Sequence, residues 1–541
     1  MNHCHITISD ESSEQFCYAR RIVQTRLADR GITPGEGGLV LHMVVDPAAP
    51  EDGFRITGSD TVITVTAQSV INVLAGCGAF LRDCTFDENG ITAGKRRGLT
   101  VPDCSFRGIY LANHFHNYFM TSTTEEMTRY LEDMALWGFN ILKIGFPEIN
   151  LDYFGSEMFY EEMDRITPLM LAAQKLGIKN MVPLYSSQTG TQFPEEYRAT
   201  PVPDPLNRHG NFGNILCMSN PDAFAFCLRD NEILLSEYKK RGIEVYYANT
   251  WPYDEGGCGC EKCSPWGANG FLRISKALSK LFKEFYPEGK LVVATWTFDT
   301  PDIGEWKALS ESLAEEKWAD IVLADAHTDF PRYPLDVEVP GNLPLISFPE
   351  ISMWGLYPWG GHGAMGFPWR MTHIWQQTQG KLMGELLYSE GIYEDLNKIT
   401  VAGLCEDFNR DPAETLRQYA KYELGLNDPD KFIRMIYLME YNHVAGADKN
   451  RQCDVAMAEE AYALSQQIDA VLPSWSKNCW RWRIIYLRIL LDLHRYRGHT
   501  LGDDPVTLAA MHEIIDIFHC LSKWDGIDWY HQRVRPACPE F

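Results

Sequence analysis

Eight short apolar runs with strand character follow one another between residues 106 and 389: FRGIYLA, NILKIGF, KNMVPLY, EVYYANT, KLVVATW, ADIVLAD, LPLISFP and GELLYS. Helical stretches such as TTEEMTRYLEDMALWG, EEMDRITPLMLAAQKLG and FLRISKALSKLFKEFY separate most of them. Strands that each return after a helix pair in parallel, and eight such units in about 290 residues is the count and length of a (β/α)8 barrel. A doubly wound open sheet is the alternative, but no glycine-rich phosphate loop follows any early strand. The alternation therefore predicts an α/β fold built on a TIM barrel.

The flanks obey other periods. Over residues 1–100, HCHITIS and GLVLHMVV read as strands around a helix, SEQFCYARRIVQTRLADRG, that ends at Gly31. FRITGSDTVITVTA reads as a hairpin turning at Gly58-Ser59-Asp60, and SVINVLAGCGAFLRD as a second helix. Residues 409–541 read as helices only: DPAETLRQYAKYELG, DVAMAEEAYALSQQIDAVL, WRWRIIYLRILLDLHRYRG and PVTLAAMHEIIDIFHCLSKW. Their apolar heptads are not sustained, so a compact helical domain is expected rather than a coiled coil. The predicted division is an N-terminal α/β domain at 1–100, a barrel at 101–408 and a helical domain at 409–541.

Charge narrows the partners. With 73 acidic against 49 basic residues the net charge is −24, which repels nucleic-acid phosphates and anionic membranes. No run of about 18 apolar residues is present. The opening stretch MNHCHITISDESSEQF has neither the basic nor the apolar segment of a secretory signal. Fifteen cysteines scattered along a large chain suit reduced thiols, so a cytoplasmic enzyme is expected. A homo-oligomer built through the C-terminal helices is left open.

In a barrel the chemistry sits at the C-terminal ends of the strands. Taken in order, those ends carry His114 and His116, then Glu148, Tyr185, Trp251 with Asp254 and Glu255, Trp296, Asp325 with His327, Glu350 with Trp354 and Tyr357, and Tyr388 with Glu390. Carboxyl groups cleave glycosidic bonds and flat rings stack on the C–H faces of sugars, so an oligosaccharide or glycan is the expected substrate. Any one of these carboxylates is equally well explained as a helix cap. Their joint occurrence after strands 4, 7 and 8 is what points to carbohydrate. Adjacent strand residues face opposite ways, so Asp254 and Glu255 can serve together only where the strand has given way to a loop, a break that Gly256 and Gly257 permit.

Directly after that pair, Cys258, Cys260 and Cys263 form C-x-C-x-x-C, one ligand short of a zinc tetrahedron. Cys217 and Cys227 are the candidates for a fourth. The preferred reading is free thiols that pack and order the loop carrying Glu255, with no metal or cofactor. A structural zinc is the alternative.

Together these residues resemble, over roughly residues 1–400, the glycoside hydrolase family 20 β-N-acetylhexosaminidases and their barrel relatives. VPDCSFRGIYL is similar to that group's entry into strand 1, YLEDMALWGFN looks like its first barrel helix, and Asp254-Glu255 is similar to its catalytic pair. The small domain ahead of the barrel looks like the non-catalytic domain of that group and of the family 67 α-glucuronidases. DEGGCGCEKC and YSEGIYEDLNK look like segments of the family 163 endo-β-N-acetylglucosaminidases. The resemblance implies cleavage of β-linked N-acetylhexosamine with retention, assisted by the substrate's own acetamido group. Glu255 would be the general acid/base, and Asp254 would orient the acetamido group and stabilise the oxazolinium. The chain departs from family 20 in two places. Trp251-Pro252-Tyr253 stands where the group has His-Gly-Gly, and LANHFHNYF lacks the arginine that grips sugar hydroxyls, for which His114 and His116 would substitute. Two other readings stay open. One is an inverting α-glucuronidase-like enzyme with Glu255 as acid and Glu350 or Glu390 as base; the other is a non-catalytic carbohydrate-binding barrel.

Overall fold

Strands buried on both faces need apolar side chains at nearly every position, which is why the eight runs stand out as continuous rather than alternating. The computed structural model describes residues 1–113, 117–148, 151–201, 214–253, 257–299, 302–326, 329–349, 366–447 and 452–519. In it the runs become β1 (Phe106–Leu111), β2 (Ile141–Ile144), β3 (Lys179–Leu184), β4 (Val245–Thr250), β5 (Lys290–Ala294), β6 (Ile321–Ala326), β7 (Leu345–Pro349) and β8 (Leu382–Ser389). Each is parallel to the next, and β8 pairs with β1 in the register Gly384↔Phe106 to Ser389↔Leu111, closing an eight-stranded barrel. Closure depends on Gly384, where a Cβ would strike the Phe106 carbonyl.

Helices between the strands start on local signals. Thr123 and Glu126 form a reciprocal capping box on Thr124–Leu136, with bonds of 3.2 and 2.8 Å. Asn220 accepts from the N–H groups of Asp222 and Ala223 ahead of Pro221–Lys240, whose first residue is proline. Glu157–Leu176 ends at Gly177 in the left-handed region, at φ 87°.

Ahead of the barrel lies a six-stranded sheet in the order Thr33–Pro34, His3–Ile8, Leu39–Val45, Val62–Ala67, Phe54–Gly58, Gly98–Thr100. Its hairpin turns where the sequence indicates, with Ser59 N–H donating to the Val62 carbonyl at 2.8 Å. The helix Val70–Asp83 packs on this sheet and against Thr124–Leu136 of the barrel. After the barrel come Pro412–Tyr422, Asp430–Ala447, Val455–Val471, Trp480–Tyr496 and Pro505–His519. Asp430–Ala447 is a helix that the sequence reading did not single out.

Buried charge joins the three layers. Arg26, on the helix Glu14–Ala28, donates to Asp133 of the barrel at 2.6 Å and to Glu132 at 2.9 Å. From the C-terminal helix Trp480–Tyr496, Arg481 reaches Asp133 at 3.0 Å and Asp395 at 2.9 Å, and lies 3.7 Å from Glu423. Burial pushes the Asp133 carboxyl up, but the two guanidinium groups outweigh it and hold this group below the ordinary carboxylate range. No helix among the described residues is long and apolar enough to cross a membrane.

Candidate active site

Inward-pointing side chains at the C-terminal ends of the strands form a continuous aromatic floor. Tyr110 of β1 lies 5.4 Å, ring centre to ring centre, from Tyr388 of β8 and 6.0 Å from Phe348 of β7. Phe348 lies 5.3 Å from Tyr388, 4.9 Å from Trp251 and 5.8 Å from Trp296, and the two tryptophans are 5.2 Å apart. Beneath them Lys143 of β2, only 3% exposed, places its ammonium 3.8 Å from the Tyr110 ring centre and 5.5 Å from that of Trp251. Six of the eight strands or their immediate ends thus contribute to one floor.

Glu390 borders it, and Asp325 and Glu148 lie at the ends of other strands. The Tyr388 hydroxyl donates to Glu390 at 3.3 Å, and the Glu390 backbone N–H donates to Glu394 at 2.9 Å, so both its backbone and its carboxyl are held. Asp325, half-buried at the end of β6, accepts from the N–H of Thr297, the residue after Trp296. Glu148 is 4% exposed just beyond β2. Tyr185 turns away from the floor: its hydroxyl donates to the Phe146 carbonyl at 2.7 Å and its ring packs on Phe154. It braces the loop after β2. Asp299, another strand-end carboxylate, accepts from the N–H groups of Ile303, Gly304, Glu305 and Trp306 and anchors the helix Glu305–Glu315.

His114, His116, Asp254, Glu255, His327, Glu350, Trp354 and Tyr357 lie outside the described residues. The chain leading to Asp254 is tightly held. The Trp251 carbonyl accepts from Ser186 at 2.7 Å, and the Pro252 carbonyl accepts from the Trp266 indole. Fully buried Tyr253 donates to Glu305 and accepts from the Gly267 N–H at 3.1 Å. Downstream, Gly257 has a φ of 133°, a conformation that favours glycine, and Gly259 N–H donates to the Thr200 carbonyl at 2.8 Å.

The sulfurs of Cys217, Cys258, Cys260 and Cys263 all lie within 4.8 Å of one another. Cys227 is elsewhere, donating to the Tyr185 carbonyl at 3.2 Å from inside its helix. Within the cluster the Cys263 thiol donates to Cys258, which lowers the pKa of Cys258 and raises that of Cys263.

Lys143, Tyr110 and Phe348 join this cluster although the strand-end reading does not name them. A signal was present for one of them: Lys143 is the single charge in NILKIGF, and a lysine there must face the barrel interior or a helix.

No protein-family model and no curated protein matches the chain. Solved structures do match it in fold. A family 89 glycoside hydrolase from Clostridium perfringens, in complex with its substrate GlcNAc-alpha-1,4-galactose, superposes with a TM-score of 0.62 at 13% identity; the match covers 90% of this chain and spans 62% of that enzyme's length. A family 115 4-O-methyl-alpha-glucuronidase with specificity for decorated arabinogalactans gives 0.60 at 11% identity, covering 97% of this chain and 77% of that one. The family 20 exo-beta-N-acetylglucosaminidase of Vibrio harveyi, bound to N-acetylglucosamine, gives 0.52 at 10% identity, covering 78% and 74%. At these identities the likeness is one of fold: the chain is a TIM barrel with a small sheet ahead of it and helices behind.

Proposed function

We propose that the chain is a glycoside hydrolase acting on an oligosaccharide or glycan that contains a 2-acetamido sugar, with Glu255 as general acid/base and Asp254 as its partner. One observation carries the reading. The barrel mouth joins an aromatic floor drawn from five strands to acidic groups at its edge, and the chain entering Asp254 is anchored on side chains of three neighbouring segments. Rings such as Trp251 and Trp296 would take the apolar face of a sugar, leaving the carboxyl groups to the glycosidic oxygen. The enzymes named above from families 20 and 89 both bind N-acetylglucosamine or a sugar built from it, which favours an acetamido substrate.

In the first step Glu255 would give its proton to the leaving oxygen while the acetamido carbonyl attacks the anomeric carbon. Asp254 would hold the acetamido N–H and offset the positive charge of the oxazolinium. Glu255, now ionised, would then take a proton from water as that water opens the ring, giving overall retention.

A second reading is an inverting enzyme with Glu255 as acid and Glu390 as base. In an α-linked 2-acetamido sugar, such as the GlcNAc-alpha-1,4-galactose bound by the family 89 enzyme, the acetamido group lies on the side of the leaving oxygen and cannot attack behind it, which favours testing a scheme without substrate assistance alongside the first.

The test is a panel of aryl α- and β-2-acetamido-glycosides and α-glucuronides. Glu255→Gln is expected to lose about 10²- to 10⁴-fold in kcat on substrates with poor leaving groups. Full activity in that variant, or no turnover of any glycoside by the wild type, overturns the proposal. The anomer first released, read by NMR, separates retention from inversion.

A further inference from the structure

We propose that Cys217, Cys258, Cys260 and Cys263 bind one structural zinc ion, which ties the loop after β3 to the loop after β4 beside the barrel mouth. The four sulfurs already have the spacing of a ligand set. All lie within 4.8 Å of one another, and Cys217 Sγ is 3.7 Å from Cys260 Sγ. Four sulfurs at ~2.3 Å from a common centre stand about 3.8 Å apart in a tetrahedron. Cys258 and Cys263 are fully buried, while Cys217 and Cys260 are half-buried.

The groups around the sulfurs suit thiolates. The Ser219 hydroxyl lies 3.1 Å from Cys217 Sγ and 3.2 Å from Cys260 Sγ. Donors around a sulfur stabilise its anionic form, yet anions this close repel one another strongly inside a protein unless a cation stands among them. An all-sulfur tetrahedron selects zinc over magnesium or calcium, which take oxygen ligands, and four protein ligands leave no open position for substrate.

The protein builds both halves of the site. Cys217 precedes the Asn220 cap of Pro221–Lys240, and its N–H donates to the Tyr197 carbonyl at 2.8 Å. Cys260 to Ser264 form one tight turn in which the N–H groups of Cys263 and Ser264 both reach the Cys260 carbonyl at 3.0 Å. Arg273 then spans the two segments, donating to the carbonyls of Met218 and Lys262, each at 3.2 Å. Cys258 stands three residues beyond Glu255 in the chain, so the ion would fix the downstream end of the segment that carries the acidic pair.

Elemental analysis of the full-length protein, purified under reducing conditions and dialysed, tests this directly. One equivalent of zinc is expected. Cobalt in its place should show the thiolate charge-transfer and d–d bands of a tetrahedral tetrathiolate site. Cys217→Ser and Cys260→Ser should each abolish stoichiometric zinc, and Cys227→Ser should retain it. Absence of zinc from wild type with all four thiols freely reactive, an equivalent of iron instead, or a disulfide among the four overturns the proposal; none of these readouts depends on a variant folding. The proposal is independent of the glycosidase reading, since Glu255→Gln is expected to keep its zinc whether or not it loses activity.

Discussion

Two buried polar assemblies cross-link this molecule, one around Arg481 and one around the four cysteines, and they balance charge differently. Arg481, Arg26 and Arg30 meet Asp133, Asp395, Glu132 and Glu423, so charges of both signs from three layers interleave within the protein. The cysteines bring together four groups of one kind, with the Ser219 hydroxyl beside two of them. The first assembly already holds cations among its carboxylates. The second, on the proposal above, is completed by an ion from outside. A buried cluster that carries its own counter-charges speaks of architecture, whereas one that gathers like groups speaks of a missing ligand.

Arg481→Met should cost about 3–5 kcal/mol, because buried carboxylates lose their cation, while the zinc content stays unchanged. Urea unfolding beside metal analysis checks both; a loss under about 1 kcal/mol would mean that the carboxylates find other partners.

Acid should act next. Burial raises the Glu406 carboxyl, but Arg96, Arg410 and Arg82 more than offset this and hold it at about 2. Its folded pKa lies below the unfolded one, so its contribution is fully present above about pH 4.5 and is lost as pH falls towards 2, worth about 3 kcal/mol. Glu406→Gln should flatten that part of the stability profile. Metal loss on thiolate protonation would add to the acid effect in the wild type and not in Cys260→Ser, so the two variants divide the profile between them.

Chelation comes third. Removing zinc should lower stability by about 2.7 kcal/mol relative to free zinc roughly a hundredfold above its Kd. Thermal denaturation with and without chelator checks this, and Cys260→Ser should be insensitive. The smallest effect is expected at the barrel mouth, where Tyr388→Phe removes the hydroxyl that donates to Glu390. A hydrogen bond as long as 3.3 Å is worth about 1 kcal/mol, a change of a few-fold in kcat/KM.

Much of this fold is legible in the sequence for one reason. Barrel strands such as Lys290–Ala294 and Leu345–Pro349 are covered on both faces along nearly all of their length, and double burial writes a nearly unbroken apolar run. The short edge strands Thr33–Pro34 and Gly98–Thr100 carry no such mark, since they are too brief to show a period. Strand ends name Trp251, Trp296, Tyr388 and Glu390, which the structure brings to one end of the barrel, but do not distinguish them from braces: Tyr185 and Asp299 hold loops and a helix. Lys143 and Tyr110 were missed because depth within a barrel is set by register, and register is not visible in one strand alone. Cys217 and Cys227 were equivalent on paper. The loop after β3 takes the first to the cluster, whereas a helical face takes the second to Tyr185.

Arg481 also bears on how such a chain can be divided. Its guanidinium, rooted in the C-terminal helices, is the shared partner of Asp133 and Asp395, both on helices that wrap the barrel. A cut after the helix Asp395–Glu406 would keep both acids and remove the guanidinium they share. The barrel is therefore not a detachable cassette: as an engineering part, it comes with its helical layer or not at all.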